Sequence, residues 1–135
     1  MWNGVAISSR LRTRDESAAL SGDYRPLLGL LQHAQVGTLF LELCTPRAGE
    51  LEILKDLPDD RRIGIGVVNQ KHERIESEDE IVSRIRRAID LFGKDRVLLT
   101  PDCGFATFAD NPVASATIAE AKLRAITRAN EGLQG

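Results

Sequence analysis

The segment "TPDCGFATF", Thr100 to Phe108, follows an apolar run and sets an acid, a thiol and a glycine side by side. In parallel α/β architectures, ligands are met at the C-terminal ends of the strands. Applied to the apolar runs of this sequence, that rule gives a short list of candidate positions. Ser8, Ser9 and Arg10 end the first run; Glu42, Leu43 and Cys44 end the second, with Arg47 in the loop beyond. Asn69, Gln70, Lys71 and His72 end the third, and Asp102, Cys103 and Gly104 the fourth.

Glu42 carries the most information, because it interrupts the apolar stretch "LFLEL". A buried carboxylate needs a cation, a set of hydrogen-bond donors or a metal to offset its desolvation. Two readings stay open for it: a strand-end ion pair with Arg47, or a metal ligand. Cys103 is either a core thiol or, with a glutamate at the same end of another strand, half of a zinc site. Cys44 stands two residues past Glu42 and is either a loop thiol without a role or a further donor facing the same way. Other chemistries fit less well. "GIG" at Gly64 to Gly66 lies inside a strand pattern and not at a strand-to-helix turn, so it does not match a dinucleotide fingerprint. His33 falls near a helix end and His72 in a loop; both read as structural or exposed, which leaves Cys103 no obvious nucleophile partner.

These positions need elements to hold them. Four times a short apolar run precedes a helical pattern: Val5 to Ile7, Val36 to Leu43, Arg62 to Val68 and Arg96 to Pro101. The first helix is expected after a cap at Asp23, with Leu27, Leu30, Leu31 and Ala34 inward. The second points Leu51, Leu54 and Leu57 inward and ends before Pro58. "SEDE" at Ser77 to Glu80 has the form of a capping box. It opens a helix carrying Ile81, Ile85, Ala88, Ile89 and Phe92, which stops near Gly93. Asn111 with Pro112 is expected to start the last helix, with Ile118, Ala121, Ala125 and Ala129 aligned. Near-continuous apolar strands alternating with helices imply an α/β fold with a parallel sheet covered by helices. Four βα units are half of a (β/α)8 barrel, which typically needs about 250 residues.

Composition narrows the class. The chain has 135 residues, 42% hydrophobic and 28% charged, which suits one domain spanning residues 1–135. A net charge of −2 gives no electrostatic case for nucleic acid or an anionic membrane. Arg84, Arg86 and Arg87 are interleaved with acids on a helix and read as a solvated face. No segment approaches the roughly 20 apolar residues of a membrane span. The start, Met-Trp-Asn-Gly, lacks the basic and apolar regions of a signal peptide. Two well-separated cysteines are therefore expected to be reduced thiols in a cytoplasmic protein.

"PDCG" after an apolar strand, "LFLEL" before it and "IGIGVVNQK" between them resemble cobalamin-independent methionine synthase. The likeness is to its C-terminal catalytic barrel, and "TPRAGELEIL" and "GDYRPLL" are similar to the shorter single-barrel relatives. It runs from about Asp15 to Leu123 and matches the last half of the barrel. The resemblance implies a (β/α)8 fold and transfer of a methyl group from a folate to the homocysteine thiol. It further implies zinc held by a His, a Cys, a Glu and a second Cys, with Glu42 matching the glutamate and Cys103 the final cysteine. Asp102, beside Cys103, would orient the loop or contact substrate. Lys71 stands where the longer enzymes carry a histidine and the shorter relatives a lysine, and is a substrate-binding candidate.

Two departures set the alternative. The family's His-x-Cys pair falls in "VAISSRLRTRDE", near Ala6 and Ser8 or at Ser8 and Arg10, where there is neither histidine nor cysteine. Four further βα units are also expected before the region matched. The function expected is thus zinc-dependent methyl transfer to a small thiol by an incomplete site. The alternative is a non-catalytic, truncated half-barrel. Either way, exposed sheet edges lead to the expectation of a homodimer or higher oligomer.

Overall fold

The computed structural model describes residues 4–7, 24–44, 50–108, 111–112 and 114–134. Four parallel strands form one sheet in chain order: β1 (Gly4–Ile7), β2 (Thr38–Leu41), β3 (Arg62–Val68) and β4 (Val97–Pro101). The helices between and after them are α1 (Leu28–His33), α2 (Glu50–Ile53), α3 (Glu78–Phe92) and α4 (Ala116–Gln134). A small antiparallel pair, β5 (Ala106–Phe108) and β6 (Asn111–Pro112), separates β4 from α4. Sequential parallel strands with helical crossovers are the arrangement expected of part of a (β/α)8 barrel.

Alternation along the strands divides the sheet into two faces. Leu39, Leu41, Ile63, Ile65 and Val67 are buried in one core with Ile81, Ile85, Ala88 and Phe92 of α3 and Ala125 and Ala129 of α4. Each large side chain buried this way contributes about 1.5–3 kcal/mol. On the other face Gly64 lies under the Phe40 ring, where a Cβ would meet the ring at 2.2 Å. Close approach, not backbone freedom, is what requires glycine there.

At the N-terminal end of the sheet two arginines tie the loops together. Arg61 is buried and its guanidinium donates to Leu31 O and, at 2.9 Å, to Gln32 O, capping the end of α1. Arg96 donates to Arg61 O at 2.9 Å and to Pro58 O at 2.8 Å, and stacks 5.9 Å over the Phe92 ring.

Several elements follow the sequence pattern closely. β3 spans Arg62–Val68, Leu51, Leu54 and Leu57 are buried, and Ser77 and Glu80 form a reciprocal capping box. Other expectations are corrected. Leu27 is 39% and Leu30 66% exposed, so of the expected α1 stripe only Leu31 is fully buried. Asp23, proposed as its cap, lies outside the described residues. β2 stops at Leu41, short of Leu43, because the Leu43 and Cys44 N–H groups donate to a side chain and not to a neighbouring strand. Asn111 and Pro112 pair with β5 and do not open α4. The Ser115 hydroxyl takes that place, accepting from Ile118 N at 3.2 Å. Among the described residues no helix is long and apolar enough to cross a membrane.

Candidate functional site

β2 and β4 flank β3, so their C-terminal ends stand on either side of one strand. Asp102 follows β4 directly, and its own N–H donates to Val68 O at 2.9 Å. Its carboxylate reaches across β3, and Oδ1 accepts from Leu43 N at 2.6 Å and Cys44 N at 3.0 Å. The path is open only because residue 66 is glycine. A Cβ on Gly66 would lie 2.0 Å from Asp102 Oδ1 and 2.8 Å from Asp102 Cα. The third strand's glycines are thus a consequence of what passes over them.

That clasp brings together the two residues with the strongest chemical signal in the sequence. The Cys103 thiol lies within electrostatic reach of the Glu42 carboxylate. Partial desolvation by its neighbours pushes the thiol's pKa up although its surface is open to solvent; the Glu42 and Asp102 charges add to this, and the Gly104 N–H opposes it. Cys103 is exposed, which sets aside the core-thiol reading. Asp102 is pushed up to about 6, first by burial and then by the Glu42 charge, against the two N–H groups it accepts. Arg47, the candidate ion-pair partner for Glu42, lies outside the described residues, as do Ser8, Ser9 and Arg10.

Cys44 faces a different set of groups. Its thiol is pushed far above the usual range by burial and by Asp102, partly countered by Arg84. Arg84 Nη1 lies 3.9 Å from Cys44 Sγ and donates to Val67 O at 2.6 Å. Arg84 therefore serves the end of β3 and is not part of a solvated face, as its charge pattern implied. Both cysteines are free thiols.

The third strand's loop is held from behind. Asn69 N donates to Glu76 Oε1 at 2.7 Å, and Lys71 N donates to Asn69 Oδ1 at 2.9 Å. Glu76 Oε2 in turn takes the Lys122 ammonium at 2.8 Å. Lys71 itself is half-buried, His72 exposed, and the buried Gln70 Oε1 has no hydrogen-bond partner. His33 is exposed at the end of α1, its Nδ1 2.7 Å from Gly29 O.

Sequence reasoning missed Arg84, Glu76 and Lys122. Lys122 left a signal: a charged residue on the apolar stripe of α4, four residues after Ile118 and three before Ala125. Chemically, a carboxylate and a thiol near one another at strand mouths are two donors of the kind zinc takes. Among the described residues no group of three or more His, Cys, Asp and Glu side chains is placed to hold one metal ion.

Comparison with known proteins agrees with this arrangement. Residues 21–126 match the family described as "Cobalamin-independent synthase, Catalytic domain". A methionine synthase of Methanothermobacter thermautotrophicus is 36% identical over 89 residues, covering 65% of this chain and 29% of that protein. A methionine synthase of Saccharolobus solfataricus is 29% identical over 83 residues, covering 62% of this chain and 25% of that protein. Among solved structures, a B12-independent methionine synthase from Shewanella sp. in complex with selenomethionine superposes with a TM-score of 0.65. It shares 20% sequence identity, and the match covers 82% of this chain and 30% of that one. The chain thus spans less than a third of the length of these relatives. With the family model covering more than half of its residues, the chain belongs to the cobalamin-independent methionine synthase family, in the region of the catalytic domain.

Proposed function

We propose that this chain provides the glutamate and final-cysteine side of a zinc site for methyl transfer from a folate to the homocysteine thiol. The observation that carries the reading is that two separate strand ends, on either side of β3, bring the Glu42 carboxylate near enough to the Cys103 thiol to raise its pKa. The fit to zinc is partial: the donor types are right, but among the described residues no group of three such side chains is placed to hold one ion. Glu42 and Cys103 would hold the metal, which supplies the Lewis acidity that keeps a substrate thiol in its thiolate form near neutral pH.

The chain's own residues do the rest. The Glu42 charge opposes ionisation of the Cys103 thiol in the absence of a cation. Asp102 fixes the turn at Leu43 and Cys44 and so sets where Glu42 stands. Lys71, at the end of β3, offers a cation to the carboxylate of an amino-acid substrate. The sheet's two outer edges, on β1 and β4, have no strand partner among the described residues. We take a second copy of the chain as what covers them.

Metal analysis of the full chain tests this reading. Near-stoichiometric zinc is expected, lost in both Glu42→Gln and Cys103→Ser. A zinc-free chain would favour the second reading, a non-catalytic member of the family, to which the small donor set points. Light scattering tests the association: a mass of two chains or more is expected, and a single-chain mass overturns it.

A further inference from the structure

We infer that Lys122 and Glu76 are a positioning pair through which α4 sets the conformation of residues 69–71. Lys122 is fully buried and Glu76 only 5% exposed, and their charged groups meet at 2.8 Å. Stability alone does not call for this arrangement. A buried ion pair is often no better than two well-packed apolar side chains of similar size, because desolvating both charges cancels the attraction. An apolar residue at 122 would simply have continued the stripe that Ile118, Ala125 and Ala129 form on α4.

What the ion pair adds is reach to backbone. Glu76 uses one oxygen for Lys122 and the other for the Asn69 N–H, at 2.7 Å. Lys122 also donates to Arg74 O, and Asn69 passes the order on by accepting from Lys71 N at 2.9 Å. A continuous chain of hydrogen bonds therefore runs from the middle of α4 to two loop amides. Apolar burial does little for this loop, since His72, Glu73, Arg74 and Ile75 are all exposed. The polar tether is what remains to fix it. Its importance for catalysis rests on the methyl-transfer reading, in which this loop meets the substrate; the tether itself does not.

Amide hydrogen exchange on the full chain, read by NMR, tests the tether in Lys122→Met and in the double variant Lys122→Met with Glu76→Leu. In Lys122→Met, exchange at Asn69 and Lys71 is expected to accelerate about tenfold or more relative to Ile65 and Val67 of β3. In the double variant no charge is left buried, so the unfolding midpoint is expected to recover. The Asn69 and Lys71 amides should nevertheless stay fast, since no carboxylate remains to accept from Asn69. Should Lys122→Met fail to fold, the double variant carries the test alone. Wild-type protection of Asn69 and Lys71 in the double variant would overturn the proposal. So would loop and β3 amides shifting by the same factor. Zinc content measured in parallel separates the two ideas. Zinc-free wild-type protein with a released loop in the variants would end the methyl-transfer reading and leave the tether standing.

Discussion

The two ends of the sheet satisfy their loops with different sets of charges. At the N-terminal end, Arg61 and Arg96 donate to backbone carbonyls of α1 and of the segment before β3. At the C-terminal end, Asp102 and Glu76 accept from backbone N–H groups of residues 43, 44 and 69, beside two cations, Arg84 and Lys122, that donate to Val67 O and Arg74 O. Guanidinium groups stay charged at any working pH and can point their donors inward from a half-exposed position. Carboxylates change state, and here the Glu42 charge helps to push the Asp102 pKa up. The first end closes on itself. The second carries a carboxylate whose charge is disfavoured by burial and which a proton would neutralise; the two ends of a barrel commonly divide stability from chemistry in this way.

The sharpest way to break that contrast is to fill the gap over β3. Gly66→Ala puts a methyl group into the space of the Asp102 carboxylate, and the Asp102 backbone is also too close to yield cheaply. Destabilisation by about 3 kcal/mol is expected in denaturant unfolding, and the spacing of Cys103 and Glu42 should change as well. Gly29 is the control. It sits in α1 with nothing within 4 Å of an added Cβ, so Gly29→Ala should be neutral or gain up to about 1 kcal/mol.

Next in size is a pH effect that only the C-terminal end should show. The Asp102 pKa is raised from 3.8 to about 6, so the folded chain keeps this proton after the unfolded chain has lost it. That stabilisation is complete below pH 3.8 and is lost as the pH climbs through about 6. At 1.36 kcal/mol per pKa unit it amounts to roughly 3 kcal/mol. Asp102→Asn keeps an oxygen for the two N–H groups and has nothing to titrate. The wild type should therefore lose stability relative to Asp102→Asn between pH 4 and pH 6. Parallel curves would mean that the carboxylate is solvated and the clasp is loose.

At the other end, Arg61→Met should cost about 2 kcal/mol, because two carbonyls at the end of α1 lose a charged donor. The alkylation rate of Cys103 should not change. A changed rate would mean that the two ends are coupled through β3.

How much of this was legible depends on whether the signal was local. β3 read as a strand because its apolar run is continuous and bounded, and the capping box needs only four consecutive residues. Glu42 and Cys103 were legible as candidates because a charge or a thiol at a strand end is out of place in the pattern. Their proximity was not, since it depends on Asp102 crossing Gly66, a relation between three strands. Leu27 and Leu30 show the limit of periodicity: the helical spacing is there, but α1 is too short to turn that whole face onto the core. Asn111 and Pro112 misled because a sound cap pair also suits the edge of a short hairpin, where proline needs no partner for its missing N–H.

The smallest expected effect tests where the C-terminal end stops. Ser77 follows Glu76 directly and caps α3: its hydroxyl accepts from Glu80 N at 3.3 Å, while the Glu80 carboxylate accepts from Ser77 N at 2.9 Å. Ser77→Ala removes only the first of these bonds. Glu80 keeps the second and its bidentate pairing with Arg74 at 2.8 and 3.1 Å. The cost should be about 1 kcal/mol or less. If faster amide exchange stays within the first turn of α3, the Lys122–Glu76 tether isolates the loop from the helix that follows it. If Asn69 also speeds up, loop and helix open as one unit, and the ordered end of the sheet extends into α3.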